Sequence, residues 1–449
     1  MPVAHTGAAV RGVPSAYGPI HCHRHRKQLP PGALDFSAAG HLYATHGLHA
    51  FAARCPPPLA RWAIETFTDA SDIVLDVMCG SGTTLVEAAL TGRHGWGVDI
   101  DPLARMVALA KATPIDPAAV DELAGRIERD APATDDDGWR PALDRLDYWF
   151  RPDVAGDLAR LRHLIRTRTA EGPLRRLAWT VFSSLIVGRT SVANARDLVH
   201  SRHHFREWTE DPHTVERFVR ALRRAGRLMR DLAALPPSGH PAATLVGHDA
   251  RALTVEDQTV DLVFFSPPYV SALDYPRAHA FAVAWLADVL GTTPAAYRAH
   301  ARDYVGSDRA PLAAATPDQP LPPPSGHTPV DTVVAALGSV PERAWVVARY
   351  FTDMTAVFAE AARVTRPGGH VVAVVCPSNI RRVPVPTHEI FHTLAPAGSG
   401  GRLVLEDHHA RTIHDGRRVM PYLEAKFGER MREEYVLVFC RRPDPPGRG

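Results

Sequence analysis

The sequence predicts an α/β protein built on a mainly parallel sheet, with helices on both faces and a helical insertion. Two stretches carry this prediction. One is an apolar run followed by Ser-Pro-Pro-Tyr at residues 266–269, and the other is a glycine-rich turn at residues 80–82 between a strand and a helix. In addition, helical patterns replace the strand pattern from about residue 116 to 241, after which strands resume. Ligands of parallel sheets bind at the carboxyl ends of the strands, so both stretches are candidate functional loops.

The apolar run at residues 260–265 is long enough for a buried strand, and it stops at the sequence Ser-Pro-Pro-Tyr. Proline fixes φ and lacks a backbone N–H, so Pro267 and Pro268 end the strand in a stiff corner. Such a corner suits a planar ring that bears an amino group: Tyr269 can stack on the ring, while Ser266 and the carbonyl of Pro267 accept from the NH2. An ordinary strand-to-loop turn is the alternative interpretation of these four residues.

The glycine-rich stretch reads VLDVMCGSGTTLVEA at residues 74–88. Gly80 and Gly82 let the chain turn tightly before a helix whose free N–H groups suit an anion. The next predicted strand ends at Asp99, whose carboxylate suits a ribose diol. Nicotinamide-binding proteins share this pattern with proteins that bind S-adenosylmethionine, although Leu85 occupies the place of the third glycine of G-x-G-x-x-G. This stretch alone leaves both cofactors open.

Composition limits the remaining functional classes. A chain of 449 residues with 45% hydrophobic residues can bury a sizeable core, and its net charge of +2 does not by itself indicate a nucleic-acid partner. The five cysteines are scattered without a C-x-x-C pair, so no metal site is expected, and the histidines at 21–25 are interpreted as part of a basic tail. No apolar run reaches the roughly 18 residues of a membrane span, and a cytoplasmic location is expected.

Four regions are predicted along the chain. Residues 1–35 are rich in glycine, proline and histidine and are expected to be a disordered tail. The catalytic domain is expected at 36–115 and 243–441, and the helical insertion at 116–242. Within 306–331, a Pro/Ala-rich stretch is expected to form a mobile loop over the substrate.

The insertion is a candidate target-recognition region because residues 151–206 carry eleven arginines against four acidic residues. A basic helical segment on a nearly neutral chain can bind phosphates. Arginine is abundant throughout the chain, however, and lysine occurs only three times. An ordinary solvated helical face is therefore the alternative interpretation.

Several other positions are candidates because of where they fall. His49 and Phe51 precede a helix that three prolines begin, and their loop is expected to lie across the methionine end of the cofactor. Asp249 follows the third strand and is expected to accept from the amino group of the cofactor's adenine. Asp274 and Tyr275 are expected to line the pocket near residues 266–269.

Further predicted elements are a helix at 345–364, a strand at 371–375, a helix beginning within 383–389, and an antiparallel pair at 402–406 and 434–441 joined by a basic loop.

Together these residues resemble the amino-methylating DNA methyltransferases, which act on cytosine N4 or adenine N6. Residues 76–88 (DVMCGSGTTLVEA) look like the cofactor motif D-P-F-C-G-S-G-T-T, and SPPY at 266–269 looks like the catalytic motif. Residues 46–60 look like the motif H-x-Y-P-A-K-F-P-P-x-L that precedes the cofactor strand. The sequence departs from the pattern in having Val-Met for Pro-Phe at 77–78, in placing the cofactor motif first, and in lacking a recognisable target-recognition domain. The last departure leaves the target sequence, and DNA versus RNA, open.

The resemblance implies a class I methyltransferase with a Rossmann-like sheet, S-adenosylmethionine as cofactor, and direct methyl transfer to a base flipped out of DNA. Serine rather than aspartate or asparagine at position 266 favours cytosine N4 in this family. A restriction partner stays open. The implied cofactor-binding residues are His49, Phe51, Asp76, Cys79, Gly80, Ser81, Gly82, Thr83, Asp99 and Asp249. The implied catalytic residues are Ser266, Pro267, Pro268 and Tyr269, and the implied substrate-binding residues are Asp274, Tyr275 and Arg277.

Four alternatives remain at the level of the sequence. An RNA amino-methyltransferase and an adenine-N6 DNA methyltransferase would use the same motifs on another target. A DNA-binding module on an inactive methyltransferase scaffold would have no reason to retain the glycines and SPPY. A nicotinamide-dependent oxidoreductase would leave SPPY unexplained.

Overall fold

The computed structural model describes residues 34–36, 40–51, 54–186, 192–193, 213–235, 243–270, 274–307, 321–412 and 433–443. The predicted tail at 1–35 therefore lies almost entirely outside the described residues. So does much of the predicted loop at 306–331, of which residues 308–320 are not described.

The described residues contain nine strands. In chain order they are β1 (Ile73–Asp76), β2 (His94–Val98), β3 (Thr244–Gly247), β4 (Val260–Phe265), β5 (Thr365–Val375), β6 (Ser378–Ile380), β7 (Val383–Val385), β8 (Leu403–Thr412) and β9 (Glu433–Arg441). Seven of them form one sheet in the spatial order β3-β2-β1-β4-β5-β9-β8, and β6 pairs with β7 separately.

The same residues contain fourteen α-helices. They are α1 (Pro57–Phe67), α2 (Thr83–Leu90), α3 (Pro102–Ala112), α4 (Pro117–Asp130), α5 (Leu146–Trp149), α6 (Pro152–Arg168), α7 (Pro173–Ile186), α8 (Thr214–Leu228), α9 (Arg230–Ala233), α10 (Tyr275–Leu286), α11 (Pro294–Ala299), α12 (Thr328–Ala336), α13 (Pro341–Val364) and α14 (Thr387–Gly398). Among the described residues, none of these helices combines the length and apolar character needed to cross a bilayer.

The direction of the strands identifies the fold. Strands β1 to β5 are parallel, and β9 runs antiparallel to both β5 and β8. The chain reverses its order at β1, because it moves outward through β2 and β3 and then returns to β4 on the other side. This is the arrangement expected of the class I Rossmann-like sheet, and the predicted fold class is confirmed.

The central strand β4 is buried along its whole length, as its unbroken apolar run predicts. Leu262 and Phe264 pack on the face covered by α1 and α2. Val263 and Phe265 point to the opposite face, where α13 packs. Burying each such side chain contributes roughly 1.5–3 kcal/mol, so this strand anchors the loop that follows it.

The helices from α4 to α8 come between α3 and β3 and share one hydrophobic core with α3 and α10. From the insertion, this core includes Leu123, Leu161, Phe182 and Phe218. Arg162 joins this core to the end of α10. Its guanidinium is buried, donates to the carbonyl of Trp285 and pairs with Asp288 at 2.9 Å. The insertion is thus tied to the helix that follows the Ser-Pro-Pro-Tyr stretch.

Most described arginines of the predicted basic segment are paired with carboxylates. The residues concerned are Arg151, Arg160, Arg162, Arg166, Arg168 and Arg175. The segment 194–206 lies outside the described residues. The count of arginines in 151–206 therefore overstates the free positive charge in the described part of that range.

Several element boundaries differ from the prediction. Strand β5, predicted at 371–375, already begins at Thr365, and Val383–Val385 pairs with Ser378–Ile380 as a short hairpin. The helix expected to begin within 383–389 begins at Thr387, after Pro386. Residues 408–412, expected in the basic loop, extend β8 because they pair with β9 in register. Helix α12 begins at Thr328, inside the range expected to be loop.

Candidate active site

A cleft opens at the carboxyl ends of β1, β2, β3 and β4. The loops after these four strands line it, together with residues near 51–55 and 303–305. Predicted site residues that line the cleft are Phe51, Asp76, Cys79, Gly80, Ser81, Thr83, Asp99, Asp249, Ser266, Pro268 and Tyr275. Predicted residues outside its lining are His49, Gly82, Pro267, Tyr269, Asp274 and Arg277.

The glycine-rich loop after β1 is held by the backbone. Cys79 N donates to the Val98 carbonyl at 2.9 Å, and Gly82 N donates to the Cys79 carbonyl at 2.7 Å. Gly82 has φ 79°, and a Cβ there would lie 2.7 Å from Cα of Ala108 on α3. Gly82 therefore has a structural role, because it allows α2 to start against α3 and leaves the neighbouring residues to face the cleft.

Asp99 ends β2 beside this loop. Its carboxylate accepts from Gly80 N at 2.7 Å and from Asp101 N at 2.9 Å. Burial raises the pKa of Asp99 to about 6. An ionised carboxylate has about four lone-pair directions, so two backbone donors leave it able to accept from the hydroxyls of a ribose.

Asp76, at the end of β1, is also buried. It accepts from Met78 N at 3.0 Å and from the hydroxyl of Thr84 in the first turn of α2. Burial raises its pKa to about 7. The cleft thus places two carboxyl groups, Asp76 and Asp99, where a cationic ligand would stabilise their ionised forms.

Asp249 lies at the opposite part of the cleft, after β3. Arg251 donates to it through Nε at 2.9 Å and through Nη2 at 3.0 Å. Burial alone would raise the pKa of Asp249, but the bonds from Arg251 outweigh it and lower the pKa. Arg251 also donates to Asp353 of α13 at 3.1 Å, so the carboxylate is held rigidly against the sheet. Sequence reasoning missed Arg251, although its position two residues after Asp249 is a usable signal.

Ser266 and Pro268 bring the end of β4 into the same cleft as the glycine-rich loop. The Ser266 hydroxyl donates to the carbonyl of Val374 in β5 at 3.1 Å. Its hydrogen is therefore committed to the protein, and its lone pairs are available to accept from a ligand. Pro267 is buried behind this corner.

Tyr269 lies beside the cleft. Its hydroxyl donates to Oε1 of Glu434 at 2.8 Å, and Nε of Arg411 approaches Oε2 of Glu434 at 3.4 Å. Burial raises the pKa of Tyr269, and the Glu434 carboxylate raises it further. The tyrosine is thus neutral and tied to β9. Sequence reasoning missed Glu434, and no local motif marks it.

His49 contacts α7 and not the cleft. Its Nε2 lies 3.0 Å from the hydroxyl of Ser183, and that hydroxyl donates to the carbonyl of Thr180 at 2.8 Å. His49 must therefore be the donor to Ser183. Burial lowers the pKa of His49 to about 3, with a further contribution from His279, so the ring is neutral. The predicted cofactor loop reaches the cleft through Phe51, whose ring centroid lies 4.8 Å from that of His279.

Asp274 and Arg277 begin helix α10. The Asp274 carboxylate accepts from Arg277 N at 3.0 Å and caps the helix. Tyr275, between them, is the member of the predicted substrate-binding group that lines the cleft.

One further buried network was not predicted from sequence. Asp101 accepts from Nδ1 of His279 at 2.7 Å and from the hydroxyl of Tyr297 at 2.8 Å, while its other oxygen caps α3 through Leu103 N. Burial alone would raise the pKa of Asp101, but these bonds lower it. The network joins the end of β2 to α10 and α11, so the elements after the SPPY corner are held against the cleft.

The hydrogen-bonding groups that line the cleft suit a nucleoside that carries a charged tail. Asp99 suits a ribose, and Asp249 suits an amino group on the far side. The first turn of α2 offers backbone N–H groups to an anion. Ser266 stands at the opposite wall as an acceptor. The cleft thus offers hydrogen-bond acceptors from the ends of several strands to ligands that bear donors.

Comparison with known proteins gives three findings. A family sequence model described as DNA methylase (N6_N4_Mtase) matches residues 23–108. The Type II methyltransferase M.MvaI of Kocuria varians is 26% identical over 243 residues, which cover 50% of this chain and 53% of that protein. The Type II methyltransferase M.MjaII of Methanocaldococcus jannaschii is 33% identical over 66 residues, which cover 15% of this chain and 12% of that protein.

The matches thus span about half the length of the first of these relatives and a much smaller part of the second. Among solved structures, a SAM-dependent methyltransferase from Methanosarcina mazei aligns with a TM-score of 0.30 at 9% identity, over 85% of this chain and 97% of that one.

Proposed function

We propose that this chain is an amino-methylating DNA methyltransferase, as its similarity to the DNA methylase family model and to M.MvaI suggests. In this proposal it transfers a methyl group from S-adenosylmethionine to the exocyclic amine of a DNA base, with cytosine N4 as the target. One observation supports this above all: the glycine-rich loop of β1 and the Ser266–Pro268 corner of β4 line one cleft. A donor and an acceptor bound at these two loops would face each other. A cytoplasmic location, where DNA is accessible, is part of the proposal.

The cofactor supplies an electrophilic methyl group, and the residues of this chain supply positioning. Asp99 holds the ribose and Asp249 the adenine amine, while Phe51 covers the tail. The exocyclic amine of a base is a poor nucleophile, because its lone pair is delocalised into the ring. Ser266, whose hydrogen is occupied by the Val374 carbonyl, accepts from the NH2 group. This contact favours a localised lone pair aligned with the methyl group, and alignment is the main source of rate.

Nucleoside analysis of DNA tests this function. DNA from cells that express the chain is expected to contain N4-methylcytosine, which is absent from cells expressing Ser266→Ala. N6-methyladenine in its place would retain the reaction and correct the target base. Methylated amines found in RNA and not in DNA would move the activity to another substrate. If neither nucleic acid gains a methylated amine, the proposal is wrong.

We also propose that DNA phosphates contact α8. Arg220, Arg224 and Arg227 are exposed and follow one another at helical spacing, so they lie on one face. Arg220 and Arg227 make no ion pair with any residue that the structure describes, in contrast to the arginines of α6. Arg224 donates to the carbonyl of Gly47 at 3.0 Å and thus links this face to the segment before the cleft.

Salt dependence tests the role of this face. Arg220→Gln is expected to weaken DNA binding and to reduce the slope of log affinity against log salt by about 1, because one phosphate contact releases roughly one counterion. The matched control is Arg129→Gln. Arg129 is an exposed arginine on α4 that also lacks an ion pair among the described residues, and its substitution is expected to leave the slope unchanged. Equal slopes for Arg220→Gln and the unmodified protein would exclude α8 from the DNA interface.

A further inference from the structure

Lys111 is a buried cation directly behind the glycine-rich loop. It lies in the last turn of α3, its side chain is fully inaccessible to solvent, and its Nζ donates to the Ser81 hydroxyl at 3.2 Å. Among the described residues, no carboxylate pairs with Lys111. A buried ammonium group without a counterion is costly, so Lys111 either loses its proton or gains an anionic partner.

The residue type is informative in this chain. Lysine occurs three times among fifty-one basic residues, so arginine is the usual cation. A lysine at a buried position differs from arginine in that it can lose its proton. Burial lowers the pKa of Lys111 to about 7, and the nearby charge of Arg54 lowers it further.

Ser81 connects this lysine to the cleft. The hydroxyl is one of the groups that line the cleft, and it belongs to the loop that leads into α2. A protonated lysine has three hydrogen-bond donors and no acceptor. When Lys111 is charged, Ser81 must therefore accept from it, and the hydrogen of Ser81 is free to point into the cleft beside the first N–H groups of α2. When Lys111 is neutral, Ser81 can donate to Lys111 and presents lone pairs to the cleft.

We propose that Lys111, acting through Ser81, is a positioning residue that selects the carboxylate of the cofactor's amino-acid tail. The inference rests on the proposed function, because it takes S-adenosylmethionine as the ligand. It adds a subsite for the negative end of that ligand, beside the first turn of α2. Bound carboxylate favours the charged form of Lys111, so binding of the tail and protonation of the lysine support each other.

None of the other charged and titratable groups described around Lys111 supplies a negative charge that pairs with it. Arg54 donates to the His46 carbonyl and adds positive charge, and it lines the cleft. Burial lowers the pKa of both His46 and His49, so these rings are neutral near pH 7. Glu87 of α2 is engaged separately: it accepts from the Tyr43 hydroxyl at 2.6 Å, contacts Nε2 of His46 at 2.6 Å and pairs with Arg61 at 2.7 Å.

Two ligands distinguish binding of the amino-acid tail from binding of the nucleoside. S-adenosylhomocysteine carries the amino-acid tail, whereas 5′-methylthioadenosine has the same nucleoside and thioether without it. Calorimetry at pH 6.5 is expected to show that Lys111→Met weakens S-adenosylhomocysteine binding roughly 10- to 100-fold, the range expected for loss of a hydrogen bond to a charged group. Binding of 5′-methylthioadenosine is expected to change less than about twofold, which also shows that the variant folds.

Proton uptake provides a second readout. At pH 8 the free protein has a largely neutral Lys111, so binding of S-adenosylhomocysteine is expected to take up close to one proton, measured from calorimetry in buffers of different ionisation enthalpy. Lys111→Met is expected to lose this uptake. Asp76 and Asp99 also face the cleft, but their pKa values of about 7 and about 6 lie below pH 8, so both carboxyl groups are already mostly ionised in the free protein.

Ser81→Ala tests the role of the Ser81 hydroxyl while retaining the lysine. Like Lys111→Met, it is expected to weaken binding of S-adenosylhomocysteine and to leave binding of 5′-methylthioadenosine unchanged. If Lys111→Met loses affinity for both ligands equally, the lysine has only a structural role. Unchanged S-adenosylhomocysteine binding in either variant would overturn the proposal. If the unmodified protein binds neither ligand, the proposed function itself fails.

Discussion

Tyr269→Ala is expected to lower kcat/KM for DNA methylation roughly 10- to 100-fold. Stacking of a base on an aromatic side chain contributes about 1–3 kcal/mol, and loss of the ring leaves the flipped base without a support. Cofactor affinity is expected to stay within about twofold, because Tyr269 lies beside the cleft and is not among the residues that line it. Methylation of a short duplex and calorimetry with S-adenosylhomocysteine measure the two quantities.

Tyr269→Phe is the matched control, because it keeps the ring and removes the hydroxyl that donates to Glu434. It is expected to retain activity within about fivefold of the unmodified protein. The free energy of unfolding is expected to fall by about 1–3 kcal/mol, since the buried Glu434 loses a donor. If Tyr269→Phe loses as much activity as Tyr269→Ala, the contact with Glu434 is the functional feature, and the stacking role is wrong.

Gly82→Ala is expected to lower the free energy of unfolding by about 3 kcal/mol and to weaken cofactor binding by more than about tenfold. Part of the loss is the cost of a left-handed backbone for a residue with a Cβ, about 1–2 kcal/mol. The rest comes from overpacking, because that Cβ would lie 2.7 Å from Cα of Ala108 and 2.9 Å from its Cβ. Chemical unfolding and calorimetry with S-adenosylhomocysteine check both effects.

Gly92→Ala isolates the backbone contribution. Gly92 has φ 76°, close to the 79° of Gly82, but a Cβ there meets nothing within 4 Å. Its substitution is expected to cost about 1–2 kcal/mol and to leave cofactor binding unchanged. Equal losses in the two variants would mean that the contact between α2 and α3 tolerates a methyl group, contrary to the packing described above.

Much of the fold was predictable because it depends on local rules. The buried strand before Ser266 follows from an unbroken apolar run, and its end follows from two prolines that cannot continue a sheet. The turn at Gly80 and Gly82 follows from residues that adopt positive φ easily. Parallel strands share the edge at which their loops emerge, so the juxtaposition of these two loops could be predicted as well. The hairpin of β6 and β7 was missed, because a three-residue strand containing proline has no distinctive pattern.

The residue order alone was enough to predict most of the strands and helices, the two loops that line the cleft and the resemblance that those loops carry. The partners of the side chains became known only from the packed chain: Tyr269 donates to Glu434, 165 positions away, and Lys111 donates to Ser81 from another element. In the packed chain, most described arginines of 151–186 also pair with carboxylates. On α8, by contrast, Arg220 and Arg227 make no ion pair with any described residue. Backbone limits act between neighbours in the chain, whereas a side chain meets distant partners only after the elements have packed.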